Sequence, residues 1–130
     1  MILLDTHIAL WLAYEPERLS DDAADAIEEA ESQTSAIALS AASVYELIWL
    51  FDNRRLKVPN GVDEFVQELN RRFFVLPIDG GLAVRAARIP TPFHGDPMDR
   101  LIVATALESG RTLITADRAI LSSKACKLLW

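Results

Sequence analysis

Cysteine is almost absent from this chain of 130 residues: Cys126 stands alone. A disulfide framework is therefore excluded, and a reducing compartment is the simple reading. A single thiol with no base argued beside it is also poor ground for nucleophilic catalysis, so Cys126 reads as a small buried apolar residue. Five Gly and six Pro are too few for a low-complexity or linker-dominated protein. No apolar run approaches the ~18 residues needed to span a bilayer. The start, Met1-Ile2-Leu3-Leu4-Asp5, has no basic stretch and meets a carboxylate too early for a signal peptide. A soluble cytoplasmic protein with no membrane partner is expected. Positive charge is also short, at 13 bases against 19 acids. A net charge of −6 argues against coating nucleic acid by charge alone. It leaves room for an enzyme that grips a phosphodiester through metal ions.

Hydrophobic residues make up 51% of the chain. A chain of this length suits one domain, 1–130, able to bury about two-thirds of the surface its unfolded form exposes. The charge is uneven: residues 1–53 carry −10, residues 54–88 carry +3 and residues 89–130 carry +1. Ten of the thirteen bases are Arg, the side chain suited to bidentate contacts with phosphate or carboxylate.

Along the chain, apolar runs alternate with amphipathic segments. Residues 1–4 read as a buried strand ending at Asp5. Thr6 can cap a short helix over 8–13, and Ser20-Asp21-Asp22 opens a second helix with acids in its first turn. A second strand is expected over 34–39. Ser40 then caps a helix over 41–53 with the stripe Val44, Leu47, Ile48 and Phe51. Pro59-Asn60-Gly61 reads as a turn, and Val62, Phe65, Val66 and Leu69 as the stripe of the next helix. A third strand over 73–78, a small-residue helix over 81–89 and a Pro90-Thr91-Pro92 loop follow. Asp96-Pro97 opens a helix that runs to about Ser109 and ends at Gly110. Residues 111–115 form a fourth strand, and 125–130 a possible fifth. Strands separated by helices imply right-handed crossovers. Continuous apolar runs suit strands covered on both faces. The expected fold is a three-layer α/β/α sandwich with a four- or five-stranded, mostly parallel sheet.

In open parallel sheets, ligands bind beyond the carboxyl ends of the strands. Asp5 directly follows the first strand, Asp117 lies two residues past the fourth, Glu46 lies on the helix after the second strand, and Asp96 and Asp99 open the helix that leads to the fourth. A parallel sheet can bring these acids to one rim. Several carboxylates cannot easily stay ionised together without a cation, and oxygen ligands of this kind suit Mg²⁺ or Mn²⁺. That is equipment for metal-assisted phosphodiester hydrolysis. Each acid also has a plain reading. Asp5 can cap a helix, and Glu46 lies off its apolar stripe, as a solvated residue would. Asp96-Pro97-Met98-Asp99 is a good helix start in itself, and Asp117 can be a turn acid. Their joint placement is what points to a site.

Four segments in order, Leu3-Leu4-Asp5-Thr6-His7, Ser40-Ala41-Ala42-Ser43-Val44-Tyr45-Glu46-Leu47, Asp96-Pro97-Met98-Asp99-Arg100-Leu101-Ile102 and Leu113-Ile114-Thr115-Ala116-Asp117, resemble the PIN-domain family. Within it they are similar to the VapC toxins of toxin–antitoxin pairs. The likeness spans the whole chain. It implies a PIN fold and a Mg²⁺- or Mn²⁺-dependent endoribonuclease acting as a toxin. Asp5, Glu46, Asp99 and Asp117 match the family's four acidic positions. Asp96 is an additional acid, within His94-Gly95-Asp96-Pro97-Met98-Asp99-Arg100, resembling a subset of relatives, and a further candidate metal contact. The resemblance also implies an RNA substrate, a cognate antitoxin whose amphipathic segment lies in a groove, and a homodimer.

Other residues were weighed against this site. Thr6 and Thr115 can hydrogen-bond the carboxylates or serve as a cap and a strand-end hydroxyl. His7 and His94 read as local structure, since a hard-oxygen site needs no imidazole. Arg100 can pair with a neighbouring acid or hold substrate phosphate, and the structural ion pair is the expected role. Arg54, Arg55, Lys57, Arg71 and Arg72 are either an RNA-backbone track or a solvated face. Trp11, Tyr45, Trp49 and Leu50 put apolar surface outside the core stripe, for a partner or for burial beneath the short helix that carries Trp11. Trp130 reads as edge-strand packing. The competing functions are a PIN scaffold that binds RNA or protein without cutting, and an aspartyl-phosphate phosphatase. The second is disfavoured by His7, where a second Asp would be wanted.

Overall fold

In the computed structural model, which describes residues 1–53, 57, 60–90, 93 and 95–130, the first apolar run is the central strand of the sheet. That strand, β1 (Ile2–Leu4), lies between β2 (Ile37–Ser40) and β4 (Thr112–Ile114). The edges are β3 (Phe74–Leu76) beside β2 and β5 (Leu128–Leu129) beside β4. The order is β3-β2-β1-β4-β5 and every pairing is parallel, with Leu3 opposite Ala38 on one side and Leu113 on the other. The expected sheet is thus observed with five strands, all of them parallel.

Alternation along the strands splits the core in two. Ile2, Leu4, Ile37, Leu39 and Ile114 face one way, against Ile8, Ile27, Leu47, Phe65 and Leu69. Those residues come from α1 (Thr6–Tyr14), α2 (Asp21–Glu31), α3 (Ala41–Asp52) and α4 (Gly61–Arg72). Leu3, Ala38 and Leu113 face the other way, against Leu82 and Ala86 of α5 (Gly80–Ala87), Ile102 and Val103 of α6 (Pro97–Ser109) and Ile120 of α7 (Arg118–Ser123). Helices therefore cover both faces, giving three layers.

Helix ends follow local chemistry. Ser20, Ser40 and Asp79 accept backbone N–H bonds at the starts of α2, α3 and α5. Gly110, at φ 66, takes the left-handed conformation that ends α6. The start of α1 differs from expectation. Asp5, not Thr6, is its cap: the Thr6 N–H donates to Asp5 Oδ1 at 2.7 Å, which leaves the Thr6 hydroxyl available for another partner. Helix α7 was not expected. Pro59, Thr91, Pro92, His94, Arg54 and Arg55 lie outside the described residues, so the expected turn at 59–61, the loop at 90–92 and part of the Arg track lie at least partly outside them.

The amino-terminal rim of the sheet is closed by a buried cation. Arg111 is 5% exposed and donates to the carbonyls of Ile2, Ser35 and Ala36. Burial lowers its pKa from the ordinary Arg value. Among the described residues, no helix is long and apolar enough to cross a membrane.

Candidate active site

Strand order reverses at β1: the chain passes from β1 to β2 on one side and later returns to β4 on the other. The carboxyl ends of β1 and β4 therefore flank a topological switch point, the usual ligand position in such sheets. Asp5 directly follows β1, and Asp117 lies three residues beyond β4. Helix α6 packs against the sheet and leads into β4, so its amino terminus, with Asp96 and Asp99, lies on the same rim. Helix α3 leaves the carboxyl end of β2 and carries Glu46 one and a half turns on. The outcome is a single pocket of about 330 Å³ lined by Asp5, Glu46, Asp96, Asp99, Asp117, His7, Trp11 and Ala116. All five acids singled out from the sequence meet there, although 112 positions separate Asp5 from Asp117.

The acids are held differently. Asp5 is 7% exposed, and both its oxygens are engaged, Oδ1 by the Thr6 N–H and Oδ2 by the Thr115 hydroxyl at 2.7 Å. Burial raises its pKa against the pull of those donors. Glu46 is half-buried and accepts from the Thr6 hydroxyl at 2.8 Å; burial again raises its pKa. The plain reading of Glu46 as a solvated face residue therefore does not hold. Asp96 Oδ1 caps α6 by accepting from the Asp99 N–H at 2.9 Å. Asp117 Oδ1 caps α7 by accepting from the Ile120 N–H at 2.9 Å. Both caps leave the second oxygen for other partners. Thr115 ties two acids together, donating to Asp5 and accepting from the Asp117 N–H at 3.1 Å.

Asp99 is the electrostatic centre. Its pKa is pushed up to about 7, first by burial and then by the charges of Asp96, Asp5, Asp117 and Glu46. None of the ion pairs among the described residues involves any of the five acids. Arg100 does not supply the expected counter-charge. Its guanidinium turns away and donates to the carbonyls of Ala86, Ala87, Ile89 and Phe93. The helix dipole cannot help hold a cation either, since the amino end of α6 is positive; the acids must outweigh it.

The five acids form a crowded oxygen donor set, with the His7 imidazole at its edge and no Arg or Lys partner among the described residues, which fits a hard divalent cation. Among the described residues no three His, Cys, Asp or Glu side chains form a ready-made chelating group. Asp5, Glu46, Asp96 and Asp117 each have an oxygen held by a hydroxyl or a backbone N–H. The carboxylates share a pocket rather than a closed cage.

Aromatic residues flank the pocket. His7 and Trp11 lie with ring centroids 6.4 Å apart, and Trp11 also packs 5.7 Å from Trp130 and beneath the Arg18 guanidinium. Trp11 is half-buried against the core, whereas Tyr45 and Trp49 are 59% and 43% exposed. Packing against the core therefore accounts for Trp11, whereas burial beneath α1 does not account for that pair. Cys126 is half-buried and its thiol is pushed up to about 11, as an inert apolar residue would be. Sequence reading missed Phe93 and Gly95. Gly95, set between His94 and Asp96, was the available signal.

The PIN-domain profile matches residues 2–125. The chain is 40% identical over 123 residues to Ribonuclease VapC22 of Mycobacterium tuberculosis, covering 95% of this chain and 92% of that protein. Its fold superposes on VapBC2 from Rickettsia felis bound to a promoter DNA fragment, with a TM-score of 0.71 at 18% identity over 100% of this chain and 99% of that one. It superposes equally on DNA-bound VapBC from Salmonella typhimurium, with a TM-score of 0.72 at 18% identity over 99% and 98%. FitAcB from Neisseria gonorrhoeae gives 0.66 at 23% identity over 100% and 97%. Sequence profile, curated relative and fold agree with one another, and the chain belongs to the PIN-domain family, among its VapC-like members.

Proposed function

We propose that this chain is a divalent-metal-dependent endoribonuclease and the toxin of a toxin–antitoxin pair. The observation that carries the proposal is the convergence of five acids, from four segments of the sequence, on one pocket at the strand-order switch, with no Arg or Lys among its described lining residues. The relationship to a VapC ribonuclease supports RNA as substrate.

Asp5, Asp99 and Asp117 would hold Mg²⁺ or Mn²⁺, with Glu46 completing the set and Asp96 beside it. When bound there, such an ion would supply a water of lowered pKa and positive charge against the phosphoryl oxygens. The protein's own part is positioning. Thr115 and Thr6 fix Asp5 and thereby set which lone pairs remain. Thr6 also draws Glu46 across from α3, so one residue orients two acids. Asp99 must lose its proton before it can act as a ligand, so metal uptake strengthens as pH rises through about 7.

An antitoxin has a plausible seat. Leu10, Ala13, Tyr14, Leu47, Phe65 and Leu69 line an apolar groove of about 310 Å³ between α1, α3 and α4. Solved relatives include toxin–antitoxin complexes, one from Klebsiella pneumoniae. We place the homodimer contact on the exposed face of α3 that carries Tyr45 and Trp49, and the protein in the cytoplasm.

The test is cleavage of RNA by the purified chain with Mg²⁺ or Mn²⁺, with and without chelator. Wild type is expected to cut only with the ion, and Asp5→Asn to lose at least about a hundredfold, since even outer contacts at such sites cost 10–100-fold. Cutting by Asp5→Asn at the wild-type rate would overturn the assignment. Metal binding and RNA binding without any cutting would favour the non-cleaving scaffold instead.

A further inference from the structure

Arg100 directly follows the most crowded acid, yet its charge goes elsewhere. Nε donates to the Ala86 carbonyl at 3.0 Å, one terminal nitrogen to Phe93 at 2.9 Å, and the other to Ile89 at 2.8 Å and Ala87 at 3.3 Å. Ala86 and Ala87 are the last residues of α5, where carbonyls have no partners within the helix and the dipole is negative. One guanidinium thus joins the end of α5, the chain that follows it and the first turn of α6. A planar fork with five donors can do this; an ammonium cannot reach four carbonyls in fixed directions.

The Phe93 carbonyl bond brings a second contact with it. The Phe93 ring is 2% exposed and folds beneath Gly95. A Cβ at Gly95 would overlap Phe93 Cζ, lie 2.8 Å from Cε2 and lie 3.0 Å from Asp99 Cβ. Gly95 is therefore required by close approach: its φ is ordinary, but ring and acid leave no room for a methyl group. The Arg100 guanidinium lies 5.8 Å from the centre of the same ring. Next in the chain comes Asp96, whose Oδ1 holds the Asp99 N–H.

We propose that Phe93, Gly95 and Arg100 form a latch that positions Asp96 and Asp99 for cation binding. None of the three touches the reacting atoms; each acts through the backbone at the start of α6. The latch rests on the metal-dependent reading above for its purpose, but its mechanical part stands separately. Because Arg100 bonds carbonyls rather than carboxylates, it fixes the acids without neutralising them, and the pocket keeps its negative charge.

The test uses the full chain and two readouts, Mn²⁺ binding by calorimetry and hydrogen exchange of the Asp99 amide in chelator. Gly95→Ala is expected to keep its far-ultraviolet circular dichroism, weaken Mn²⁺ binding by about tenfold or more, and speed Asp99 amide exchange by a similar factor. Phe93→Leu added to Gly95→Ala removes the ring overlap and leaves only the 3.0 Å approach to Asp99 Cβ, so it should recover both readouts by about threefold or more over Gly95→Ala alone, a rescue that a merely damaged fold would not show. Should Gly95→Ala fail to fold, Arg100→Gln against Arg100→Lys gives the same pair of readouts, with Lys retaining more of each. Wild-type binding and exchange in Gly95→Ala would overturn the latch while leaving the metal reading intact. No Mn²⁺ binding by wild type, with the exchange pattern as expected, would overturn the metal reading while the latch stands.

Discussion

Replacing Asp99 by Asn should make the metal-free protein more stable. In the folded chain the Asp99 carboxyl has a pKa of about 7, against 3.8 for an ordinary Asp, because it is half-buried and faces Asp96, Asp5, Asp117 and Glu46. A raised acid favours the folded state at low pH, where both states hold the proton. That advantage is lost as pH climbs from about 4 to about 7, because the unfolded chain ionises freely while the folded one resists. A shift of about three units corresponds to a ceiling of about 4 kcal/mol. Solvent reaches this half-buried carboxyl and screens it, so about 1–2 kcal/mol is the reasonable expectation. Asparagine keeps the shape and removes the charge, at a cost of about 0.5 kcal/mol in lost dipole interaction at the start of α6. At pH 8 in chelator the variant should melt roughly 2–6 °C above wild type; at pH 4.5 the two should nearly coincide. Scanning calorimetry at both pH values measures this. Saturating Mn²⁺ should reverse the order, because an ion present at about a hundred times its dissociation constant stabilises wild type by about 2.7 kcal/mol and the variant by less. An Asp99→Asn protein that melts below wild type at pH 8 without metal would refute the crowded-carboxylate reasoning. So would equal stabilisation of both proteins by Mn²⁺.

Three further outcomes follow from the same geometry. Thr115→Val removes a donor to buried Asp5, so it should cost about 1–3 kcal/mol in thermal unfolding at pH 8 and weaken Mn²⁺ binding, whereas unchanged binding would mean the hydroxyl is only a strand-end group. Arg111→Met removes a donor from three strand-rim carbonyls, of which that of Ala36 keeps the Ile2 N–H, and should cost about 1–3 kcal/mol in denaturant unfolding; since this rim is opposite the pocket, cleavage per folded molecule should be unchanged. Tyr45→Ser with Trp49→Ser should shift the molecular mass by light scattering from dimer towards monomer, and a dimer that persists would place the contact elsewhere.

Much of this was legible in the sequence because the fold relies on local signals. Short apolar runs within 1–4, 34–39 and 111–115, set between helical patterns, read as strands covered on both faces, and Ser20, Ser40 and Asp96 announce helix starts through their own side chains. The five acids could be placed on one rim because parallel topology fixes which strand ends share a side. What escaped depended on direction and close packing. Arg100 sits beside an acid in sequence, but its position on α6 turns it towards α5, so adjacency misled. Helix α7 spans six residues, too short for an apolar stripe, and only Asp117 before Ile120 hinted at it. Asp5 took the cap expected of Thr6, which freed the Thr6 hydroxyl to hold Glu46, a contact spanning forty positions that no local pattern reveals. The contact between Gly95 and Phe93 is likewise a fact of packing.

The direct test of the central claim is diffraction from a crystal grown or soaked in Mn²⁺, with data collected at the manganese edge. The account predicts an anomalous peak in the acidic pocket, bonded to carboxylate oxygens of Asp5 and Asp99 at roughly the 2.0–2.2 Å typical of small divalent cations on oxygen. A well-ordered pocket with no peak at saturating Mn²⁺, or a peak held by other residues, would contradict it.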